Sequence, residues 1–190
     1  MNLPLIEQQD FKNSNFTTTP LEKAEYDDCT FLNCDFSNTN LSNVIFIDCT
    51  FKTCNFSNTI LNQTSFRAVH FEDSKLIGLH FNTCNDFLLA FNFTNCILNF
   101  SSFYKLKIKK SIFKNCNLQE VDFSQTDATQ SIFEDCDFKH AQFNRSILEK
   151  ADFRGSKNFV IHPEDNKITK AKFLKEDLIG LLQRYNIIIE

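Results

Sequence analysis

The eight cysteines are the residues of this 190-residue sequence with the most chemistry to offer. Thiolates in C-x-x-C pairs hold zinc, and suitably facing thiols form disulfides. The spacing here suits neither. Cys29, Cys34, Cys49, Cys54, Cys84, Cys96, Cys116 and Cys136 include partners five and twenty residues apart, none in a C-x-x-C, and no histidine accompanies them. Of the histidines, His70 and His80 are ten residues apart, His140 is isolated, and His162 lies close to the carboxyl end. No Ser/His/acid or Cys/His arrangement emerges, and three glycines leave no phosphate loop. We therefore expect no catalytic residue, no metal ligand and no cofactor. Carboxylates are the remaining candidates. Between Ala24 and Phe51 the chain has Glu25, Asp27, Asp28, Asp35 and Asp48 but no Lys or Arg. Between Asn115 and Phe138 it has Glu120, Asp122, Asp127, Glu134, Asp135 and Asp137, again without a base. Five lysines separate the two groups, in "YKLKIKKSIFK" (104–114).

What positions these residues is a period of five. Every fifth residue from Phe31 to Phe81 is Phe or Leu, and Phe11, Phe16, Leu21 and Tyr26 lead into the same phase. The phase slips by two residues in "NTCNDFLLAF" (82–91), where Asp86 occupies the slot of a Phe. It is expected to resume at Leu88 and to run through Phe93, Leu98, Phe103, Ile108 and onward to Phe153. Two residues before each large apolar position sits a small or β-branched one, and all eight cysteines fall in that slot. The other three places are mostly Asn, Asp, Ser, Lys, Thr and Glu. Such a period fits neither an amphipathic helix nor an alternating strand. It fits a square coil, five residues to a side, with one large and one small side chain pointing inward. Residues twenty apart then stack at roughly 4.8 Å, the spacing of hydrogen-bonded strands, and about seven turns give a shaft on the order of 35 Å long. The cysteines become compact hydrophobes of the bore. Asp28 and Asp48 come to lie on one face, and "CTFLNCDFSNTNL" (29–41) repeats as "CTFKTCNFSNTIL" (49–61) because one lies above the other.

The units "ADFRG" (151–155), "CNFSN" (54–58), "CDFSN" (34–38) and "CNLQE" (116–120) resemble those of the pentapeptide-repeat family over roughly residues 11–153. The resemblance implies an all-β, right-handed quadrilateral parallel β-helix. Within the family the C-x-F type of repeat, Phe at its centre, the mid-rod break and the helical tail are most similar to quinolone-resistance and topoisomerase-poison-immunity members. Those bind DNA gyrase or topoisomerase IV. What this implies is a DNA mimic, with Asp28, Asp35, Asp48, Glu120, Asp122, Asp127, Glu134, Asp135 and Asp137 imitating phosphates. A rigid scaffold for an unrelated protein is the competing expectation. Acids aligned in one stripe favour the first, and charges scattered round the square favour the second.

The ends complete the organisation. Residues 1–10 are expected to cap the amino end, and 154–190 to form a loop, one last unit at "AKF" (171–173), a helix and a strand. The loop "GSKNFVIHPEDNKITK" (155–170) is read as replacing three sides of a turn. Helical spacing in "LKEDLIGLLQRYN" (174–186) places Leu174, Leu178, Leu181, Leu182 and Tyr185 on one face, and the closing "IIIE", with Ile187 and Ile189, reads as a strand. An apolar helix and strand exceed what one blunt end needs, so an end-to-end homodimer through this tail is expected. The net charge of −4 argues against direct nucleic-acid binding. No apolar run spans a bilayer, and "MNLPLIEQQD" does not read as a signal peptide, so a cytoplasmic protein with reduced thiols is expected.

Overall fold

The computed structural model describes residues 3–188. Each side of the coil repeats one pattern: a small residue inward, a residue outward, a large apolar residue inward, a second residue outward, then a corner. The corner residues take the left-handed conformation, as at Asn33 (φ 52°), Asn38 (φ 55°), Asn43 (φ 63°) and Asp48 (φ 50°). Short side chains that hydrogen-bond locally tolerate that region best, which accounts for the Asn and Asp of the repeat. At one corner the requirement is stricter. Gly155 has φ 80°, and a Cβ there would lie 2.5 Å from Asp135 Oδ1 of the preceding turn.

Four faces result, joined as a right-handed parallel β-helix. Face one carries β2 (Asp10–Lys12), β4 (Thr30–Leu32), β6 (Thr50–Lys52), β8 (Val69–Glu72), β9 (Phe91–Thr94), β10 (Ile112–Lys114) and β11 (Ile132–Glu134), all parallel in one seven-stranded sheet. Face four carries β1 (Leu5–Glu7), β3 (Glu25–Asp27), β5 (Ile45–Ile47) and β7 (Ser65–Arg67) in a four-stranded sheet. Faces two and three are held by single bridges, among them Asn15↔Asp35, Asp35↔Asn55 and Asn40↔Ile60. The register is one turn everywhere: Phe31 pairs with Phe51, and Tyr26 with Phe46.

Phenylalanine fills the bore. Rings one turn apart stack, as in Phe31–Phe51 at 4.7 Å and 16° or Phe103–Phe123 at 5.1 Å and 3°. Rings on adjacent sides meet edge to face, as in Phe51–Phe56 at 5.0 Å and 85°. Each buried ring contributes roughly 1.5–3 kcal/mol by area, and favourable ring geometry adds about 0.5–1.5 kcal/mol.

The small inward slot does more than save space. Its thiols and hydroxyls donate to the carbonyl oxygen of a large inward residue on the previous turn: Cys54 Sγ to Phe31 O at 3.3 Å, Thr59 Oγ1 to Phe36 O at 2.7 Å, Thr126 Oγ1 to Phe103 O at 2.7 Å and Ser131 Oγ to Ile108 O at 2.7 Å. The reading of cysteine as a plain hydrophobe therefore misses half of its role. Burial pushes the Cys49 thiol up to about 12, which keeps it a protonated donor to Tyr26 O at 3.4 Å, and raises the Cys84 thiol as well.

Three details differ from expectation. The slip lies within 82–91, but the inward series does not restart where expected. Asn85 still pairs with Ser65, and Leu88 is an exposed corner with φ 57°, so Leu88 does not restart the inward series. The two extra residues are Leu89 and Ala90. Leu89 packs partly buried against the core beside the exposed Asp86, and Phe91 then pairs with Val69. Next, no separate cap forms over the described part of residues 1–10, because β1 already pairs with β3 through Leu5↔Glu25. Finally, 155–170 keeps two of the three sides expected to be lost. Lys157 bridges Asp137, Lys167 bridges Ile147, and Asn166 fills a small slot, its Nδ2 donating to Phe143 O at 2.8 Å.

The tail departs most. In place of one helix over 174–186 there are 3-10 turns at Lys175–Asp177 and Gln183–Tyr185 flanking α1 (Ile179–Leu182). Leu174, Leu178, Leu181, Leu182 and Tyr185 do not share one buried face. Leu181 packs against the core, while Leu178 and Tyr185 stay exposed. The reason is Gly180: it is buried where a Cβ would come within 2.4 Å of Phe159 O, and its own carbonyl accepts from Ile161 N at 3.0 Å. That contact sets the helix's path and ends its regular spacing. Ile187 is exposed and not in a strand, and Ile189 lies outside the described residues.

Candidate interaction surfaces

With the bore filled, the surfaces that remain for function are the four sides and the tail. Among the described residues no group of three or more His, Cys, Asp or Glu is placed to hold a metal ion, and no helix is long and apolar enough to cross a membrane.

The first acidic group gathers on face four. Glu25 and Asp27 flank Tyr26 of β3, Glu7 lies one turn before them, and Asp28 and Asp48 occupy successive corners of one column. Gln8 donates to Asp28 Oδ2 at 3.3 Å, and among the described residues no ion pair engages these five acids. Asp35 stands apart on face two, where its Oδ1 accepts from Ser37 N at 2.9 Å and closes a local turn.

The second group is dispersed. Glu134 is on face one, paired with Lys114 at 3.0 Å, and Asp135 is the corner that follows. Asp137 and Glu120 belong to face two, Asp122 to face three, and Asp127 to face four, where it meets Lys109 at 3.0 Å. Several of these carboxylates serve the coil. Asp122 Oδ1 accepts from Ser124 N at 2.8 Å, and Asp137 accepts from Gln119 at 3.0 Å and Asn158 at 2.7 Å. Partial burial works to raise Asp127 and Asp137, yet hydrogen bonds from Thr129 and Lys109, and from Asn158 and Gln119, hold both below the ordinary carboxylate value. The five-residue phase already implies this dispersal, because successive units of the repeat sit on successive walls.

Two apolar features escaped sequence reasoning. The slip turn lifts Phe87 (62% exposed) and Leu88 (64%) off face four, and Arg67 lies over the Phe87 ring at 5.4 Å. Phe100 is exposed at a corner where the repeat usually has a polar residue, φ 63°. The signal was present: both phenylalanines lie off the five-residue phase. At the carboxyl end Leu178, Ile179, Tyr185, Ile187 and Ile188 leave a second apolar surface.

A family described as "Pentapeptide repeat region" matches residues 24–92 and 88–158. Among solved structures, a trypsin-treated variant of QnrB1, described as a plasmid-mediated fluoroquinolone resistance protein, is similar with a TM-score of 0.70 at 17% identity, covering 98% of this chain and 91% of that one. Full-length QnrB1 gives 0.48 at 18% identity, with 96% and 100% covered. HetL, a pentapeptide repeat protein from the cyanobacterium Nostoc involved in heterocyst differentiation regulation, gives 0.34 at 11% identity, with 90% and 88% covered. At such identities the likeness to the first is one of fold, and the lower scores carry no argument. No curated protein matches the chain in sequence.

Proposed function

We propose a function on one premise: this chain belongs to the pentapeptide-repeat family. It acts as a non-enzymatic rod that binds a protein partner along its side, and the partner class is a type II topoisomerase, DNA gyrase or topoisomerase IV. The observation that carries this reading is the acid-only run over the first three turns of face four, Glu7, Glu25, Asp27, Asp28 and Asp48, on a filled shaft. Grooves that bind DNA draw their affinity largely from phosphate contacts, and carboxylates repeating at ~4.8 Å compete for the same bases. Occupying such a groove without being cut protects the enzyme from a quinolone or a toxin that acts on its DNA-bound state. The shared fold with a fluoroquinolone resistance protein supports the choice of partner. The work is done in the cytoplasm, by an end-to-end homodimer closed through the tail, whose exposed Leu178, Tyr185 and Ile187 supply the contact. Removing residues 174–190 should then leave a monomer in light scattering.

One observation favours a second reading, a scaffold for an unrelated protein: Glu120, Asp122, Asp127, Glu134, Asp135 and Asp137 spread over four faces, and Asp127 and Glu134 are already paired with lysines. A gyrase supercoiling assay with and without ciprofloxacin separates the two. The topoisomerase reading expects inhibition or protection by the native protein, and loss of either on replacing Glu25, Asp28 and Asp48 by Lys. A native protein that does neither leaves the scaffold.

A further inference from the structure

Face four changes sign along its length. Its amino half holds Glu25, Asp27 and Asp28 on one turn. Past the slip, Lys107, Lys109 and Lys110 occupy the same three lateral places: Lys107 in the column of Glu25, Lys109 in that of Asp27, Lys110 at the corner column of Asp28. Between them lie Ile45 and Ile47, then Arg67, then the protruding Phe87 and Leu88. Of the six charged residues only Lys109 has an ion-pair partner among the described residues, Asp127 at 3.0 Å. Arg67 Nε is buried without a hydrogen-bond partner.

We propose that face four is a self-complementary docking surface for a second copy of this chain, packed antiparallel. A two-fold axis across the face at Arg67 leaves lateral position unchanged and reverses the order of turns. Glu25 then meets the partner's Lys107, Asp27 the partner's Lys109, and Asp28 the partner's Lys110, and symmetry repeats all three. In the middle, Ile47 meets the partner's Phe87, Asp48 meets the partner's Leu88, and Arg67 meets the partner's Arg67 on the axis, where each guanidinium is also diagonal to an Asp48 of the other copy. This is an isologous contact that closes on itself, with an Arg67 pair on the axis, apolar contacts one turn to either side and opposite charges at both ends. A parallel arrangement sets acid on acid. Moving the axis by half a turn sets Glu25 on the partner's Asp127 and Ile47 on the partner's Lys109. At the corner with face three, Lys23 and Lys105 share a lateral place and meet as like charges, but at the solvated rim.

The surface is small. Five turns at ~4.8 Å by a side of roughly 12 Å is about 300 Å² per protomer, well below the ~800 Å² of stable complexes. The association is therefore weak, and its charges decide it, so salt dissolves it as the screening length falls from about 10 Å at 0.1 M to about 3 Å at 1 M. It does not depend on the topoisomerase reading and uses a different surface from the tail.

The test uses the full chain. A variant with Asp28→Cys and Lys110→Cys should form disulfide-linked dimers under mild oxidation, with the yield falling at least tenfold between 50 mM and 1 M salt. The buried native thiols of the unmodified chain serve as the control. In sedimentation velocity, Glu25→Lys/Asp27→Lys/Asp28→Lys and Lys107→Glu/Lys109→Glu/Lys110→Glu should each lose the salt-sensitive association, and an equimolar mixture should regain it. Absent cross-links, a mixture no heavier than its components, or cross-linking indifferent to salt overturns the proposal. All three outcomes are read without any topoisomerase, so they stand apart from the failure of that reading.

Discussion

The shaft and the tail obey the same chemistry with opposite results. In the shaft every turn is built on the one before, which supplies a hydrogen-bonding ladder, a ring to stack on and a carbonyl for the next thiol or hydroxyl. Phe36 rests on Phe56 at 4.5 Å and 11°, and Cys54 reaches back to Phe31 O. The tail has no further turn to copy. It closes the bore with Leu181 and Gly180 and leaves Leu178, Ile179, Tyr185, Ile187 and Ile188 exposed. A repeat protein thus settles its interior by self-templating, and the place where templating stops is where apolar surface is left over.

The contrast breaks first at the rings. Phe56 is buried to 1% and touches Phe36, Phe51 and Phe71, so Phe56→Ala should cost roughly 3–5 kcal/mol in denaturant unfolding. A loss below one kcal/mol would mean the stack is not what holds the shaft. Next comes the tail's anchor. Gly180→Val pushes a side chain into Phe159 and should undock α1 at a cost of about 1–3 kcal/mol. Hydrogen exchange should then rise around residues 174–186 while the shaft keeps its protection; equal loosening of both would show that the tail is part of one cooperative unit.

A smaller effect sharpens the role of the small slot. Cys54→Val removes the donor to Phe31 O and should cost about 1–3 kcal/mol, whereas Cys54→Ser, which repeats Ser74 and Ser156 of the same column, should cost less. The reverse order would return cysteine to the status of filler. The smallest effect is electrostatic. Arg154 beside Asp152 holds its carboxyl down at about 2, with Lys172 adding to the effect. A folded value below the unfolded one of about 3.9 stabilises above that pH, and the gain is lost as pH falls toward 2. Both cations are largely exposed, so Asp152→Asn should cost under ~1 kcal/mol at pH 7 and nothing measurable at pH 2. A penalty that persists in acid would point to a cost other than charge, because Asn keeps an Oδ1 that accepts from Arg154 N.

Much of this could be read before any coordinates. Phe and Leu at every fifth place, with Cys, Thr and Ser two residues earlier, admit one winding that buries the first set and seats the second, and the twenty-residue echo of 29–41 in 49–61 states the turn length. Leu88 was misread because a slip of two can be absorbed anywhere within a few residues. Only the pairing of Asn85 with Ser65 and of Phe91 with Val69 locates it. The tail was misread because helical spacing in 174–186 is a local signal, and the close approach of Gly180 to Phe159 is not local.

The linear order of residues by itself determined the coil, its bore and the inward place of every cysteine, because burial of large apolar groups at a fixed period dominates the energy and leaves a single consistent geometry. Only the folded arrangement decided which charges keep company. Successive five-residue units lie on different walls, whereas Glu25 and Lys107 share a column across four turns and a two-residue insertion. Charge placement contributes little to stability, so the repeat leaves it unconstrained, and it becomes visible only once the walls exist.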